Sequence, residues 1–243
     1  MKLINKKILI TGATSGIGLK LVEKLYPKNK LFIIARNQNK INELKINFPG
    51  VVAFKTDFKN IAELPAVVKQ LQLATPSLDV LINNAAVQYT PTFIDSDFKY
   101  ESINDEITTN FTALCSLCYL LLPMLSHQHN AVILNVNSGL ALVPKTSSAI
   151  YCASKGALNI FSQSLRYQLK NTQVQVLQAF LPLVDTPMTE GRGKSKMTTE
   201  KVSTEIIKGI ENTILDHDIG KVKRLRLLNR LLPNLAQAIM RKS

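Results

Sequence analysis

Residues 7–25 constrain the fold of this chain more than any other stretch. Lys7 to Thr11 (KILIT) is a short β-branched apolar run of the kind a buried strand needs, and it runs straight into Gly12-Ala13-Thr14-Ser15-Gly16-Ile17-Gly18. Leu19, Leu21, Val22 and Leu25 then fall at helical spacing, and Pro27 ends the helix. A glycine-rich turn between a strand and a helix has a physical use. Glycine lets the backbone come close to a pyrophosphate, and the helix start turns unpaired N–H groups and a positive dipole end toward it. The spacing is G-x-x-x-G-x-G, which departs from the commoner G-x-G-x-x-G dinucleotide fingerprint. A tight structural turn is the competing reading.

The same alternation continues along the chain. Strands are expected at Lys30–Ala35, Val51–Thr56, Leu78–Ile82, Ala131–Val136 and Val174–Phe180. Between and after them lie helical patterns at Ile41–Phe48, Ile61–Leu73, Phe98–His127 (with a kink expected near Pro123), Ala149–Lys170 and Thr199–Leu215. Strands written as continuous apolar runs and alternating with helices predict an α/β domain, a doubly wound Rossmann-type parallel sheet with helices on both faces. No repeat or linker divides it, so residues 1–220 read as one domain and 221–243 as a basic amphipathic helical tail packed on it.

Ligands in such folds lie beyond the carboxyl ends of the strands. Gly12 to Gly18, Arg36, Asp57, Asn83, Ser138 and Pro182 to Thr186 all follow strands at that end. Arg36 stands where an acid would meet the 2′-hydroxyl of NAD, and no acid follows until Glu43. A guanidinium there suits a 2′-phosphate, which argues for NADP(H); a surface arginine at a strand end is the alternative. Asn83-Asn84-Ala85-Ala86 places two amides and two small residues where a ligand would press on the backbone, or forms an ordinary turn. Tyr151 and Lys155 are one helical turn apart, shortly after Ser138. An ammonium beside a phenol favours the phenolate and is expected to lower its pKa. Alone that spacing is a weak motif, and the convergence of strand ends is what makes it part of a site.

Charge and cysteine usage bound the rest. The net charge is +13, and residues 221–243 hold seven basic residues with no acid. An anionic cofactor, an anionic membrane surface and nucleic acid are the partners such a charge permits, beside a merely solubilising surface. The tail interleaves Leu225, Leu227, Leu228, Leu231, Leu232, Leu235 and Ile239 with those cations, and Pro233 is expected to split it into two short helices. Packing on its own domain is favoured over lying on a membrane. Three cysteines without a secretory signal suggest a reducing, cytoplasmic setting, and no stretch approaches eighteen apolar residues. Cys115 and Cys118 lack a second ligand pair, and His127 with His129 makes a weak H-x-H, so no metal is expected.

TGATSGIG at 11–18, NNAA at 83–86, Asn110, Ser138, YCASK at 151–155 and PLVDT at 182–186 together resemble the short-chain dehydrogenase/reductase family over roughly residues 6–215. The resemblance implies Tyr151 as general acid in reduction or base in oxidation. Lys155 would bind the nicotinamide ribose and tune the tyrosine, and Ser138 would bind the substrate carbonyl. Asn110, an awkward residue for a helix interior, would help hold a proton-relay water near Lys155. Gly12, Ser15, Gly16 and Ile17 would frame the pyrophosphate, Asp57 would meet the adenine, Asn83 would lie near the adenosine ribose and Thr186 would contact the carboxamide end. Thr14, Ala85, Pro182 and Val184 complete the implied cofactor contacts. Ala86 and Leu183 stand where glycines are usual, and the usual final strand ending in Asp-Gly-Gly is not apparent. TPMTEGRGKSK is similar to a bacterial subgroup whose name links it to D-alanine esterification of teichoic acids, a label that predicts no substrate. The expectation is an NADPH-dependent oxidoreductase acting on a small carbonyl or alcohol, as a homodimer through helices 98–127 and 149–170. A non-catalytic cofactor-binding regulator and a peripheral membrane reductase of a lipid-like ketone are the alternatives. Nucleic acid ranks last, since no recognised module accompanies the charge.

Overall fold

A computed structural model describes residues 1–126 and 130–242. Seven strands form one parallel sheet: β1 (Lys7–Thr11), β2 (Lys30–Ala35), β3 (Val52–Lys55), β4 (Val80–Asn83), β5 (Ala131–Ser138), β6 (Val174–Leu181) and β7 (Asp216–Asp218). Their order is β3-β2-β1-β4-β5-β6-β7. The chain therefore winds outward from β1 to β3, returns to the other side of β1 and winds out again. That reversal between β1 and β4 opens a crevice at the carboxyl ends of the strands.

Alternate side chains of each strand feed two separate cores. Ile8, Ile10, Leu31 and Ile33 face α1 (Gly16–Leu25), α2 (Gln38–Asn47) and α7 (Thr199–Glu211), whose Leu21, Val22, Leu44, Val202 and Ile206 fill that layer. Leu9, Phe32 and Ile34 face α3 (Leu64–Ala74), α5 (Ala113–Ser126) and α6 (Ala149–Gln168). Both faces are buried, which is why the strands read as unbroken apolar runs.

Three differences from the sequence reading have physical causes. The 98–127 pattern is one continuous helical run over Glu101–Ser126, but it changes character in its middle. α4 (Glu101–Ile107) passes through a π-helical turn at Thr108–Thr112 before α5 begins. The ladder breaks around Asn110, whereas Pro123 lies inside α5. The run Glu101–Ser126 is also long and apolar enough to cross a membrane by length and composition, contrary to the hydropathy expectation. It is placed as a core helix, with Leu114, Leu117, Leu121 and Leu125 wholly buried. A final strand does exist. β7 pairs in parallel with β6 although its sequence is Asp-His-Asp. The glycine-containing loop 191–198 is tied back to the segment after β6: Met197 N donates to Leu183 O (2.9 Å) and Asp185 N donates to Met197 O (2.9 Å).

The tail forms α8 (Val222–Leu231) and α9 (Pro233–Arg241), split at Pro233. Both lie against the domain. Arg226 makes a two-pronged ion pair with Asp218 of β7 (2.5 and 2.7 Å) and lies 4.6 Å over the Phe180 ring. Val222 and Ala236 are buried, and Thr146 Oγ1 donates to Arg241 O (2.8 Å). Cys118 is buried and Cys115 half-buried. Burial pushes their thiols up to about 12 and about 11, so neither is a thiolate near neutral pH. No metal-holding group of side chains occurs among the described residues, and His127 and His129 lie outside them.

Candidate active site

One cavity of about 800 Å³ runs along the carboxyl ends of the strands. Gly12, Ser15, Gly16 and Ile17 floor its centre. Gly12 has φ +64°, and a Cβ there would come within 2.8 Å of Ala85 Cα, so the ends of β1 and β4 can meet only at a glycine. At Gly18 a Cβ would come within 2.3 Å of Gly12 O, which keeps the first turn of α1 against the strand end. Ser15, the N-cap of α1, makes no side-chain capping bond, and the first turn carries no acid. The helix start is left to serve an anion. Thr14 does not reach the cavity wall.

At one end the cavity meets a shallower cleft lined by Arg36, Asn37, Lys55, Thr56, Asp57 and Glu63. Lys55 is a contributor that the sequence reading missed. The signal was in the register: Lys55 pairs with Ala35, next to Arg36, in the β2–β3 ladder.

The chemistry-bearing groups stand across the cavity. Ser138 ends β5 and lines the cavity together with Tyr151, near enough to the phenol to hold its pKa down. Ser138 Oγ accepts from Leu140 N (3.2 Å), which fixes its rotamer. Tyr151 sits in the first turn of α6, whose N-cap Ser148 holds a left-handed φ of 60° and is braced by Gln88 Nε2 (3.1 Å). Lys155 follows one turn later, 2% exposed, and its Nζ donates to Val136 O (2.9 Å). Burial lowers its pKa to about 8.

The expected lowering of the Tyr151 pKa is not what this geometry gives. Enclosure raises it, Cys152 and Glu106 add to the rise, and the nearby Ser138 hydroxyl and the Arg192 charge oppose it. Lys155 Nζ lies 5.7 Å from the centre of the Tyr151 ring, with its hydrogen bond directed to the β5 backbone. Tyr151 is therefore a neutral phenol, the form that can give up a proton.

One expected contact moves. Asn83 is fully buried and points away from the cavity, donating to Asn135 Oδ1 (2.9 Å) and Cys118 Sγ (3.4 Å). Asn84 lines the cavity instead, with its Nδ2 on Thr11 O (3.0 Å) and Gly12 O (3.2 Å). Asn110 is buried at the π-turn beside α6. It accepts from Val87 N (2.8 Å) and donates to Val87 O (2.8 Å) and Ser154 Oγ (3.2 Å), pinning the cavity wall to the helix that carries Tyr151. Asp57, Ala85, Pro182, Val184 and Thr186 all line the cavity. Thr109, also on the wall, buries an Oγ1 that has no partner.

The fold and site define a class. The sequence profile of the short chain dehydrogenase family matches residues 6–197. The chain is 35% identical over 207 residues to the uncharacterized oxidoreductase DltE of Bacillus subtilis, covering 84% of this chain and 82% of that one. It is 29% identical over 192 residues to the NADP-dependent 3-hydroxy acid dehydrogenase of Schizosaccharomyces pombe, covering 76% of this chain and 74% of the other. A short chain dehydrogenase from Burkholderia cenocepacia, solved in complex with NADP, superposes with a TM-score of 0.89 over 99% of both chains at 20% identity. A Burkholderia phymatum relative solved with NAD superposes at 0.83 over 96% of both chains, also at 20% identity. The protein belongs to the short chain dehydrogenase family and is an NAD(P)-dependent oxidoreductase. The glycine cradle, the open helix start and the partnerless Thr109 hydroxyl fit a bound dinucleotide.

Proposed function

We propose that the protein is an NADPH-dependent carbonyl reductase, reversible as an alcohol dehydrogenase, with Tyr151 as its proton donor. The observation that carries this reading is that Ser138, Tyr151 and Lys155 line the same cavity as Gly12, Gly16 and Arg36. The nicotinamide supplies the hydride. Ser138 and Tyr151 hold the substrate oxygen between two hydroxyls, positioning the carbonyl carbon and stabilising charge that grows on oxygen. Tyr151 gives its proton to that oxygen and becomes a phenolate. The Lys155 ammonium and the amino end of α6 both favour that phenolate. Asn110 acts on the wall, holding Val87 in place.

The preference for NADPH rests on Arg36 and Lys55, two exposed cations beside each other at the adenine end of the cleft. A guanidinium grips a phosphate on two oxygens, and the lysine adds a second charge. The reading is tested by NADPH oxidation against a panel of aldehydes and ketones. Tyr151→Phe should lower kcat by about 10²- to 10⁴-fold. Unchanged turnover in that variant would remove the assigned role.

A second reading places the enzyme at an anionic membrane surface. Leu227, Leu231, Leu232 and Leu235 of the tail stay about half exposed among Lys223, Arg224 and Arg230. Sedimentation with anionic vesicles, lost in Leu227→Asp/Leu231→Asp, would support it. Sedimentation equal in that variant would count against it.

A further inference from the structure

Two cations at the substrate end of the cavity have no acid to answer them. Lys145 lies between β5 and α6, and Arg192 lies in the loop after β6. Both line the cavity and both are half-buried. Arg192 is close enough to Tyr151 and Lys145 to act on their charges. Burial lowers the pKa of each, and their mutual repulsion lowers that of Lys145 further. Among the described residues neither forms an ion pair, whereas Lys196 in the same loop reaches Asp185 and Arg226 reaches Asp218. Partly desolvated like charges that share one cavity are unfavourable until an anion joins them.

The wall around these cations is apolar. Leu183 and Met188 come from the segment after β6, Leu225 from α8, and Ile239 and Met240 from α9. The two tail helices therefore complete the substrate end of the cavity. Lys194 and Lys221, also on the wall, are exposed and suit attraction more than grip.

We infer that Lys145 and Arg192 form an anion subsite for a substrate whose alkyl chain lies along Leu225, Ile239 and Met240. The substrate class is an aliphatic carbonyl compound carrying an acidic group near the reacting carbon, with an oxo-carboxylate as its simplest form. The inference deepens the reductase reading and rests on it for the word substrate.

The test is calorimetric titration of the full chain, alone and saturated with NADP⁺, with decanoate, its neutral isostere decanamide, and hexanoate. Decanoate should bind about tenfold or more tightly than decanamide. Lys145→Ala and Arg192→Ala should each remove most of that preference, and Lys145→Arg should keep it. Hexanoate should bind about tenfold or more weakly than decanoate, and Ile239→Asn should narrow that gap. Equal binding of decanoate and decanamide would overturn the inference. So would a preference that disappears once NADP⁺ is bound, which would assign both cations to the cofactor's phosphates. The two readings fail separately. A decanoate preference without NADPH turnover would remove the reductase and leave the subsite. Tyr151-dependent turnover without the preference would do the reverse.

Discussion

Glu106 is a buried carboxyl that no step of the chemistry uses. It is 2% exposed, its Oε1 accepts from Tyr89 N (2.8 Å), and burial pushes its pKa up to about 7. Because the folded value lies above the unfolded one, the folded chain holds the extra proton between the two. Stability is then full below the ordinary carboxylate pKa, falls as pH rises toward 7 and is flat above it. Glu106→Gln keeps an acceptor for Tyr89 without the ionisation. Its thermal stability should match the wild type near about pH 5 and exceed it by about 2–3 kcal/mol near about pH 8. A constant difference across that range would mean that Glu106 is not protonated in the folded state. At this scale the sequence made legible that Gly12, Ser138, Tyr151 and Lys155 would line one cavity, because each follows a strand end or the turn after it. It was not legible where direction decides. Asn83 and Asn84 are the same residue type one position apart, and strand alternation sends the first into the core beside Asn135 and the second to the cavity.

Among the elements, β1 and β2 were legible to the residue because their apolar runs are bounded by turn residues. β7 was not, since Asp-His-Asp has no strand pattern of its own. Neighbours make it a strand: Arg166 Nη2 pairs with Asp216 (2.6 Å), Gln178 Nε2 donates to the same carboxylate (3.1 Å), and Arg226 holds Asp218. Its charges also guard the open sheet edge. The π-turn at Thr108–Thr112 was foreshadowed by Asn110, whose side chain takes the Val87 backbone as its partner. Arg226 is the link that ties the tail to this edge. Arg226→Ala should lower stability by only about 1 kcal/mol, because the pair is partly exposed. Hydrogen exchange should nevertheless rise through 222–241 before it rises in the sheet. Uniform exchange in that variant would show that the tail is held mainly by its apolar contacts.

For the whole molecule, the sheet order places six strand ends around one crevice, and that convergence was readable from the alternation of apolar runs. The covering of the substrate end by α8 and α9 was not readable, because basic amphipathic helices pack as readily on a partner or a membrane. Association is a second property at this scale. Tyr119 of α5 and Ile160 and Tyr167 of α6 project large apolar surfaces at 79, 66 and 75% exposure. We propose that these helices pair two copies, so light scattering should give twice the 27.0 kDa chain mass and Ile160→Lys should give a monomer. A monomeric wild type would remove that role. We propose that the cleft at Arg36 and Lys55 is built for a 2′-phosphorylated dinucleotide. With no tryptophan in the chain, the emission of bound reduced nicotinamide reports binding directly. Titration of the wild type should show NADPH bound about tenfold or more tightly than NADH, and Arg36→Ala/Lys55→Ala should bring the two within about threefold. Equal affinities in the wild type, or a preference that survives in the double variant, would contradict the account.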